Sequence, residues 1–279
     1  MINFNGTIGT QDTNILTQNR AFLYGDAVFE TVKVIDGKIL FLEDHYFRLM
    51  ASMRVVRMEI PMNFTMEYLE EQMISLVKHN GFDESSRVRI TVFRNDGGYY
   101  LPLTNDVSFL IHCSQAENKL YQFEKSEYEV DLFKDFYVTK QLLSSIKTTN
   151  RMLNITASVY ANENGLDNCL LLNDAKNVVE AIQGNIFMLI GNKLVTPPVS
   201  EGCLNGVMRK QVLSFAKQIA GLEVTEAIIS PFDLQKADEL FITNVIKGIQ
   251  PITKYRKKSF KNDVAHKILT KLNESLQAN

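Results

Sequence analysis

"SSIKTTNRMLN", residues 144–154, sets one lysine among small polar residues, just ahead of a run that reads as a helix. A lysine amine is a nucleophile only when deprotonated, a state reached by desolvation or by nearby positive potential. Thr148, Thr149 and Asn150 are good N-cap residues, so the helix is expected to start there. Its positive dipole end would then face Lys147 and disfavour the ammonium. Such a lysine can hold an aldehyde cofactor as a Schiff base. Taken alone, the stretch suits a solvated lysine at a loop–helix junction better, because a one-residue motif does not discriminate.

Upstream of this stretch the chain mixes strands and helices. "INFNGTI" reads as a short strand. "AVFETVKVIDGKILFLEDH" reads as a hairpin turned at Asp36-Gly37. "EDHYFRLMASMRVV" has Phe47, Met50 and Met53 at helical spacing. "TMEYLEEQMISLVKHNGF" repeats that spacing through Leu69, Met73, Leu76 and Val77, and Asn80-Gly81 ends it. "RVRITVFRNDGGYY" is a strand entering a glycine turn, and "VSFLIHCS" is another strand.

Residues 116–127, "AENKLYQFEKSE", are polar and mark a boundary. The expected division is an N-terminal domain at 1–117, a linker at 118–127 and a C-terminal domain at 128–279. Downstream, "YEVDLFKDFY" is a strand and "RMLNITASVYANENG" a helix stopping at Gly165. "NCLLLN", "NVVEAI" and "NIFMLI" form a three-strand meander. "GVMRKQVLSFAKQIAG" and "DVAHKILTKLNESLQ" are helices, and "ADELFITNVIKGIQPI" between them is a strand ending in a turn. Strands and helices do not alternate strictly, which predicts an α+β fold rather than a doubly wound sheet.

A chain of 279 residues accommodates two domains. Its 45% hydrophobic content supplies a sizeable core. A net charge of −2 points away from nucleic acid, and the one basic cluster, "KYRKKSFK" at 254–261, reads as a solvated loop. No apolar run is long enough to span a bilayer. "MINFNGTIGTQ" lacks the basic and apolar regions of a secretory signal. Cys113, Cys169 and Cys203 are isolated and odd in number, as in a reduced cytoplasmic protein. The four histidines are scattered without metal-ligand spacing, which argues against a metal and favours an organic cofactor or plain acid–base chemistry.

Four further places carry candidate chemistry. Glu180 is a carboxylate inside an otherwise apolar strand, "NVVEAIQGNIF". Buried, it needs a partner, and a pyridinium N–H is a fitting one; strand alternation alone favours turning it outward. In "LNGVMRKQVL", Asn205-Gly206 precedes a helix, so the amides of Gly206, Val207 and Met208 are candidate phosphate donors. In "LFITNVIKG", Thr243 and Asn244 sit where a strand meets a turn and could complete a phosphate cup. Arg48, in "HYFRLMASM", carries a guanidinium suited to phosphate. Each also has an ordinary structural reading. Together they supply the parts of a pyridoxal 5′-phosphate site: phosphate anchors, a lysine, and a partner for the ring nitrogen.

In that order along the chain, the sequence resembles the class IV aminotransferases, the fold-type IV pyridoxal-phosphate enzymes. "NRAFLYGDAVFETVKV" is similar to the family's N-terminal signature, "HYFRL" to its phosphate-arginine segment and "IKTTNRMLN" to its lysine motif. "VVEAIQGNIF" is similar to the glutamate motif, and "NGVMR" and "ELFITNVIKGIQPI" to the two phosphate loops. The resemblance implies a smaller α+β N-terminal domain and a larger C-terminal domain with a barrel-like sheet. It implies a cofactor held by Arg48, Lys147, Glu180, Gly206, Val207, Met208, Thr243 and Asn244, with Lys147 catalytic, a small amino substrate, and a homodimer.

Within the family, "NGVMR", the glycine loop of "VFRNDGGYY" and Thr243-Asn244 are like the 4-amino-4-deoxychorismate lyases. Phe29-Glu30-Thr31 is shared with aminotransferases, and Tyr99-Tyr100 depart from the basic residue of some lyases. A branched-chain or D-amino acid aminotransferase therefore remains the alternative. Phe29, Thr31, Arg94 and Tyr100 are the candidate substrate residues, Arg94 as the partner of a substrate carboxylate. A non-catalytic protein that kept the fold is the rival of another class, against which the retained Lys147 and Glu180 argue.

Overall fold

The computed structural model describes residues 1–10, 17–123 and 125–277. Residues 11–16 of the expected N-terminal domain, Glu124 of the expected linker and residues 278–279 of the expected C-terminal domain lie outside them. The chain forms two units. Unit 1 comprises Met1–Lys119 together with Ile146–Asn150, and unit 2 comprises Leu120–Ser145 and Arg151–Asn279.

In unit 1, β1 (Ile2–Phe4) and β2 (Thr7–Gly9) are two strands where the sequence suggested one. Asn5 and Gly6 adopt positive φ, 48° and 89°, and reverse the chain between them. α1 (Arg20–Tyr24) follows, then β3 (Ala27–Ile35) and β4 (Lys38–Ile39). Asp36 and Gly37 close the expected hairpin with φ of 48° and 74°, the left-handed pair that a tight two-residue turn requires. α2 (Leu42–Val55), α3 (Met66–His79), β5 (Ser85–Arg94) and β6 (Val107–Gln115) complete the unit. The strands make one sheet in the order β2-β1-β6-β5-β3-β4.

Alternation along the strands builds the core of unit 1. Val28, Val32 and Val34 of β3 share a face with Val88, Ile90 and Val92 of β5, and that face packs on α2 and α3. Each fully buried side chain of this kind stabilises by roughly 1.5–3 kcal/mol. α3 buries the four residues its spacing predicted, and the Thr65 hydroxyl caps it by accepting from the Tyr68 amide at 3.1 Å. In α2, Met50 and Met53 are buried but Phe47 is exposed, and Leu49 takes the inward place expected of it.

The lysine stretch is not a helix start. Residues 146–150 pair with the start of β3. The Phe29 amide donates to the Lys147 carbonyl at 2.8 Å and the Thr149 amide to the Ala27 carbonyl at 3.0 Å. Val28 and Thr148 form an antiparallel bridge between these bonds. Of the threonines that read as N-caps, Thr148 bridges to Val28 and Thr149 donates to the Ala27 carbonyl.

Unit 2 contains β7 (Glu129–Val138), α4 (Met152–Glu163), β8 (Asn168–Asn173), β9 (Val178–Ala181), β10 (Gly184–Ile190) and β11 (Lys193–Thr196). α5 (Val207–Ala216), β12 (Glu223–Glu226), β13 (Glu239–Asn244), β14 (Gly248–Ile252), β15 (Lys254–Tyr255), β16 (Lys258–Ser259) and α6 (Asp263–Gln277) follow. α4 thus begins at Met152, with Arg151 in the cap position and no side-chain cap.

The second sheet runs β12-β11-β10-β9-β8-β7-β15-β16 and branches at β10, which also pairs with β13, itself paired with β14. The meander β8-β9-β10 is antiparallel as its turns predicted. Two segments hold more structure than expected. "ADELFITNVIKGIQPI" is a full hairpin, β13–β14. "KYRKKSFK", expected as a solvated loop, contains the hairpin β15–β16, because Tyr255 is buried in the core and anchors it. α6 spans the expected residues, and the Glu239 carboxylate accepts from its first amides, Val264 at 2.8 Å and Ala265 at 3.1 Å. Among the described residues no helix is long and apolar enough to cross a membrane.

Candidate active site

β3 delivers neighbouring residues to opposite faces of its sheet. Phe29 and Thr31 point to one face, Glu30 to the other, where α2 packs. On the first face, the Phe29 ring lies 4.8 Å from Lys147 Nζ and 3.7 Å from Arg89 Cζ, measured to the ring centroid. A cation over an aromatic face is held there by the ring quadrupole. Thr31 is buried beside it, paired in register with Arg89.

On the second face, Glu30 is buried and carries three partners. Arg48 of α2 donates to it twice, Nε to Oε1 at 2.6 Å and Nη2 to Oε2 at 2.8 Å. His45, one turn earlier on α2, places Nδ1 2.9 Å from Oε2. Burial works against the Glu30 charge, yet the Arg48 guanidinium and the His45 hydrogen bond hold its carboxyl well below the usual range. His45 is pushed down from its ordinary value, chiefly by burial, against the pull of Glu30; the charges of Arg48 and Lys147 add to the fall. A neutral His45 donates through Nδ1, and its Nε2 is buried without a hydrogen-bond partner among the described residues.

Arg94 was expected to meet a substrate carboxylate. Its carboxylate is internal: Nε donates to Asp26 at 3.0 Å, while Nη1 and Nη2 donate to the Arg57 and Val56 carbonyls and to Asn105. The side chain is buried. Asp26 also receives Arg20 Nε at 2.8 Å, and Arg20 Nη1 donates to the carbonyls of Gly97 and Tyr99. This network shapes the glycine loop. Gly98, at φ 74°, has no room for a Cβ against the Leu101 carbonyl. Tyr100, carried by that loop, is 92% exposed.

In unit 2, Glu180 of β9, Asn185 of β10 and Thr243 of β13 lie opposite one another, one row across three strands. Glu180 is buried rather than turned outward, since β9 is covered on both faces. Its Oε2 accepts from the Leu204 amide at 2.9 Å, and Asn185 Nδ2 donates to the Leu204 carbonyl at 2.8 Å. The row therefore grips both sides of one peptide residue ahead of α5. Gly206 is the N-cap of α5, with no side-chain cap on that end. A Cβ on Gly206 would collide with Asn185 Oδ1.

Thr243 Oγ1 is buried with no hydrogen-bond partner among the described residues. An orphaned hydroxyl of this kind calls for a ligand or an ion. Asn244 is used differently, its Oδ1 accepting from the Ile246 and Lys247 amides of the next turn. Val207 and Met208 are buried in the first turn of α5. Burial, with the charge of Glu180 next in size, pushes the Cys203 thiol up to about 12, so it stays protonated.

Unit 1 thus gathers Phe29, Thr31, Arg48 and Lys147 around β3. Unit 2 gathers Glu180, Gly206 and Thr243 around the β9–β10–β13 row. Glu30, His45 and Asn185 complete these groups and were not predicted. The signal for Glu30 was present: a carboxylate within an apolar strand, the argument applied to Glu180. Asn185 had only its place after Gly184 in "QGNIF".

The residues present fit pyridoxal 5′-phosphate: an amine at Lys147, a buried carboxylate at Glu180, an uncapped helix end and an orphaned hydroxyl at Thr243. Residues 27–255 match the family model described as amino-transferase class IV. The chain is 28% identical to a putative branched-chain-amino-acid aminotransferase of Methanocaldococcus jannaschii, over 97% of this chain and 92% of that protein. It is 26% identical to an aminodeoxychorismate lyase of Vibrio harveyi, over 88% and 89% of the two. A branched-chain amino acid aminotransferase of Thermobaculum terrenum, solved in its PLP form, shares the fold at a TM-score of 0.86. It is 22% identical, over 99% and 94% of the two chains.

Proposed function

The chain belongs to the class IV aminotransferase family of pyridoxal-phosphate-dependent enzymes, and on that premise we propose that it converts 4-amino-4-deoxychorismate to 4-aminobenzoate and pyruvate. Lys147 is the catalytic amine. Glu180 would pair with the pyridine nitrogen and keep it protonated. Arg48, the amides of Gly206, Val207 and Met208, and the Thr243 hydroxyl with Asn244 would hold the phosphate. When bound, the cofactor supplies an aldehyde for the substrate amine and a ring that accepts an electron pair.

Lys147 Nζ takes the proton from the amine-bearing carbon of the substrate. The ether bond to the enolpyruvyl group then breaks, its electron pair leaving with oxygen. The carbocycle becomes aromatic, and the departing enolate gains a proton to become pyruvate. No atom enters or leaves besides the two products. Phe29 and Thr31 line the approach to Lys147 on the same strand face.

The observation that supports the lyase reading is the lyase-like glycine loop of "VFRNDGGYY", which the Arg20–Asp26–Arg94 network shapes at Gly97 and Tyr99. Arg94 itself is used in that network and so discriminates neither reaction, since 4-amino-4-deoxychorismate also carries carboxylates. The second reading, a branched-chain or D-amino acid aminotransferase, is favoured by the breadth of likeness to the Methanocaldococcus protein. Purified enzyme is given 4-amino-4-deoxychorismate in one vessel and an amino donor with a 2-oxo acid in another. Release of 4-aminobenzoate and pyruvate supports the lyase; amino transfer without it sinks that reading.

The protein is further proposed to be a cytoplasmic homodimer. Phe22, Leu23, Tyr99, Tyr100 and Leu101 stand exposed on unit 1, an apolar surface of the kind that a second copy covers. Light scattering at twice the chain mass is the expected result.

A further inference from the structure

Arg94 is engaged inside unit 1, so the carboxylate partner expected of it has to come from another residue. The sheet of unit 1 offers one. Among the described residues, the six strands of that sheet carry a single acidic side chain, Glu30, and it turns toward α2. The face away from α2 and α3 instead collects cations. Thr31 stands opposite Arg89, and Arg89 opposite His112; two residues along, Lys33 stands opposite Arg87. Like charges placed directly opposite on neighbouring strands destabilise a sheet.

Two members of this cluster have donors to give. Arg87 and His112 are half-buried, and neither makes a hydrogen bond or an ion pair among the described residues. Arg89, by contrast, already lies over the Phe29 ring and reaches Thr91 Oγ1 at 3.4 Å. Burial, then the charges of Arg89 and Arg87, push His112 below its ordinary value. A face with this surplus of positive charge is stabilised by an anion that binds the folded chain. The Arg87 guanidinium is a planar fork that matches a carboxylate.

The cluster also lies at a fitting remove from the amine. Lys147 Nζ and Arg89 Cζ sit over the same Phe29 ring, 4.8 and 3.7 Å from its centroid. Arg87 is two residues further along β5, about 7 Å beyond Arg89. 4-Amino-4-deoxychorismate carries one carboxylate on the ring carbon across from its amine-bearing carbon, and the product keeps the two groups para. A substrate whose amine meets Lys147 has that carboxylate one ring length away, the scale of the step from the Phe29 ring toward the Arg87 row.

We propose that Arg87 and His112 bind the ring carboxylate of the substrate, Arg87 as the charged fork and His112 as a second donor, so that this face selects a cyclic 4-amino carboxylate. The inference rests on the lyase reading and on Lys147 as the catalytic amine. It also gives the like-charged rows a use: the sheet tolerates their repulsion while empty, and the bound carboxylate relieves it.

The test compares two ligands of nearly one shape that differ in charge, 4-aminobenzoate and 4-aminobenzamide. Dissociation constants for both are measured on the cofactor-loaded enzyme, for wild type, Arg87→Gln, His112→Gln and Arg54→Gln. Arg54 is an exposed cation of α2, on the other side of the sheet. Wild type prefers the carboxylate. In Arg87→Gln that preference falls by about tenfold or more, the size of a lost charge-assisted hydrogen bond, while binding of the amide is unchanged. His112→Gln lowers it less, and Arg54→Gln leaves it within about twofold. The melting temperature of Arg87→Gln without ligand holds or rises, because a like-charge pair has been removed.

No preference in wild type, or an unaltered one in Arg87→Gln, overturns the carboxylate site. So does an equal loss in Arg54→Gln, which would mean a general field in place of a site. If Arg87→Gln does not fold, the preference in His112→Gln decides by the same criterion. Turnover of 4-amino-4-deoxychorismate by wild type is scored separately and decides the lyase reading. Its absence, with the preference present and lost in the variants, sinks the reaction and leaves the carboxylate site standing.

Discussion

Unit 1 holds its candidate residues with side-chain charge: Lys147 over the Phe29 ring, Arg48 in the grip of Glu30, and His45 behind. Unit 2 holds its own with backbone and register. Glu180 and Asn185 face each other across β9 and β10, and both bind the Leu204 peptide. The Gly206 helix end and the Thr243 hydroxyl are neutral groups. The difference teaches what each unit can tolerate. A charge cluster fails when one member is removed, since an unpaired buried charge remains. A backbone cradle survives loss of a side chain and fails when a bulky one intrudes.

Four changes test that contrast. Lys147→Ala should lower the rate of 4-aminobenzoate release by about 10²–10⁴-fold, the span typical of a lost general base. A rate within twofold of wild type would remove Lys147 from the chemistry. Glu180→Gln keeps the size of the side chain and loses the charge. Its kcat should drop by roughly 10–100-fold, the value of a charge-assisted hydrogen bond; steady-state rates at saturating cofactor measure it.

Thr243→Val removes the orphaned hydroxyl at nearly constant shape. Since that oxygen has no partner within the described chain, the melting temperature should hold or rise slightly. The dissociation constant for pyridoxal 5′-phosphate should meanwhile rise about tenfold. A lowered melting temperature with unchanged cofactor affinity would place the hydroxyl in the core and out of the cradle.

The smallest effect is on pH dependence, and it belongs to unit 1 alone. The folded pKa of His45 lies below its ordinary 6.5 and that of Glu30 below its ordinary 4.5. For both, the unfolded chain takes up a proton that the folded chain does not. Their contribution is therefore fully present above 6.5 and lost as pH falls, first through His45, then below 4.5 through Glu30. His45→Asn should flatten the upper leg of the stability curve between pH 7 and 5. Denaturant melts across that range would show it, and an unchanged slope would mean that His45 titrates normally.

The periodic elements were legible because periodicity reports the core directly. α3, α6, the β3–β4 hairpin and the β8–β10 meander follow their patterns. What misled was local chemistry overridden by distant pairing. Thr148, Thr149 and Asn150 are good caps by type, yet the first two pair with Val28 and Ala27 of β3 instead. The basic run at 254–261 reads as solvated until Tyr255 is found in the core. Arg94 resembled a ligand residue because Asp26, its partner, lies on the neighbouring strand end and far away in sequence. Glu30 and Asn185 were out of sight for the same reason: their roles are set by partners on other elements.

The pairing of the Lys147 stretch with β3 has one more consequence, which concerns the order in which the protein is made. The beginning of β3 is paired on one side by β5, and on the other by residues 146–150. Every other strand of that sheet has been synthesised by residue 115. A growing chain therefore carries a sheet with an open edge at Ala27 and Phe29 until the lysine emerges. Open edges recruit foreign strands, and partly made chains are where such errors occur. A fragment ending at Lys119 would keep that edge permanently, and should aggregate where the whole chain does not. The lysine proposed to do the chemistry is, by this account, also the last stitch of the first sheet.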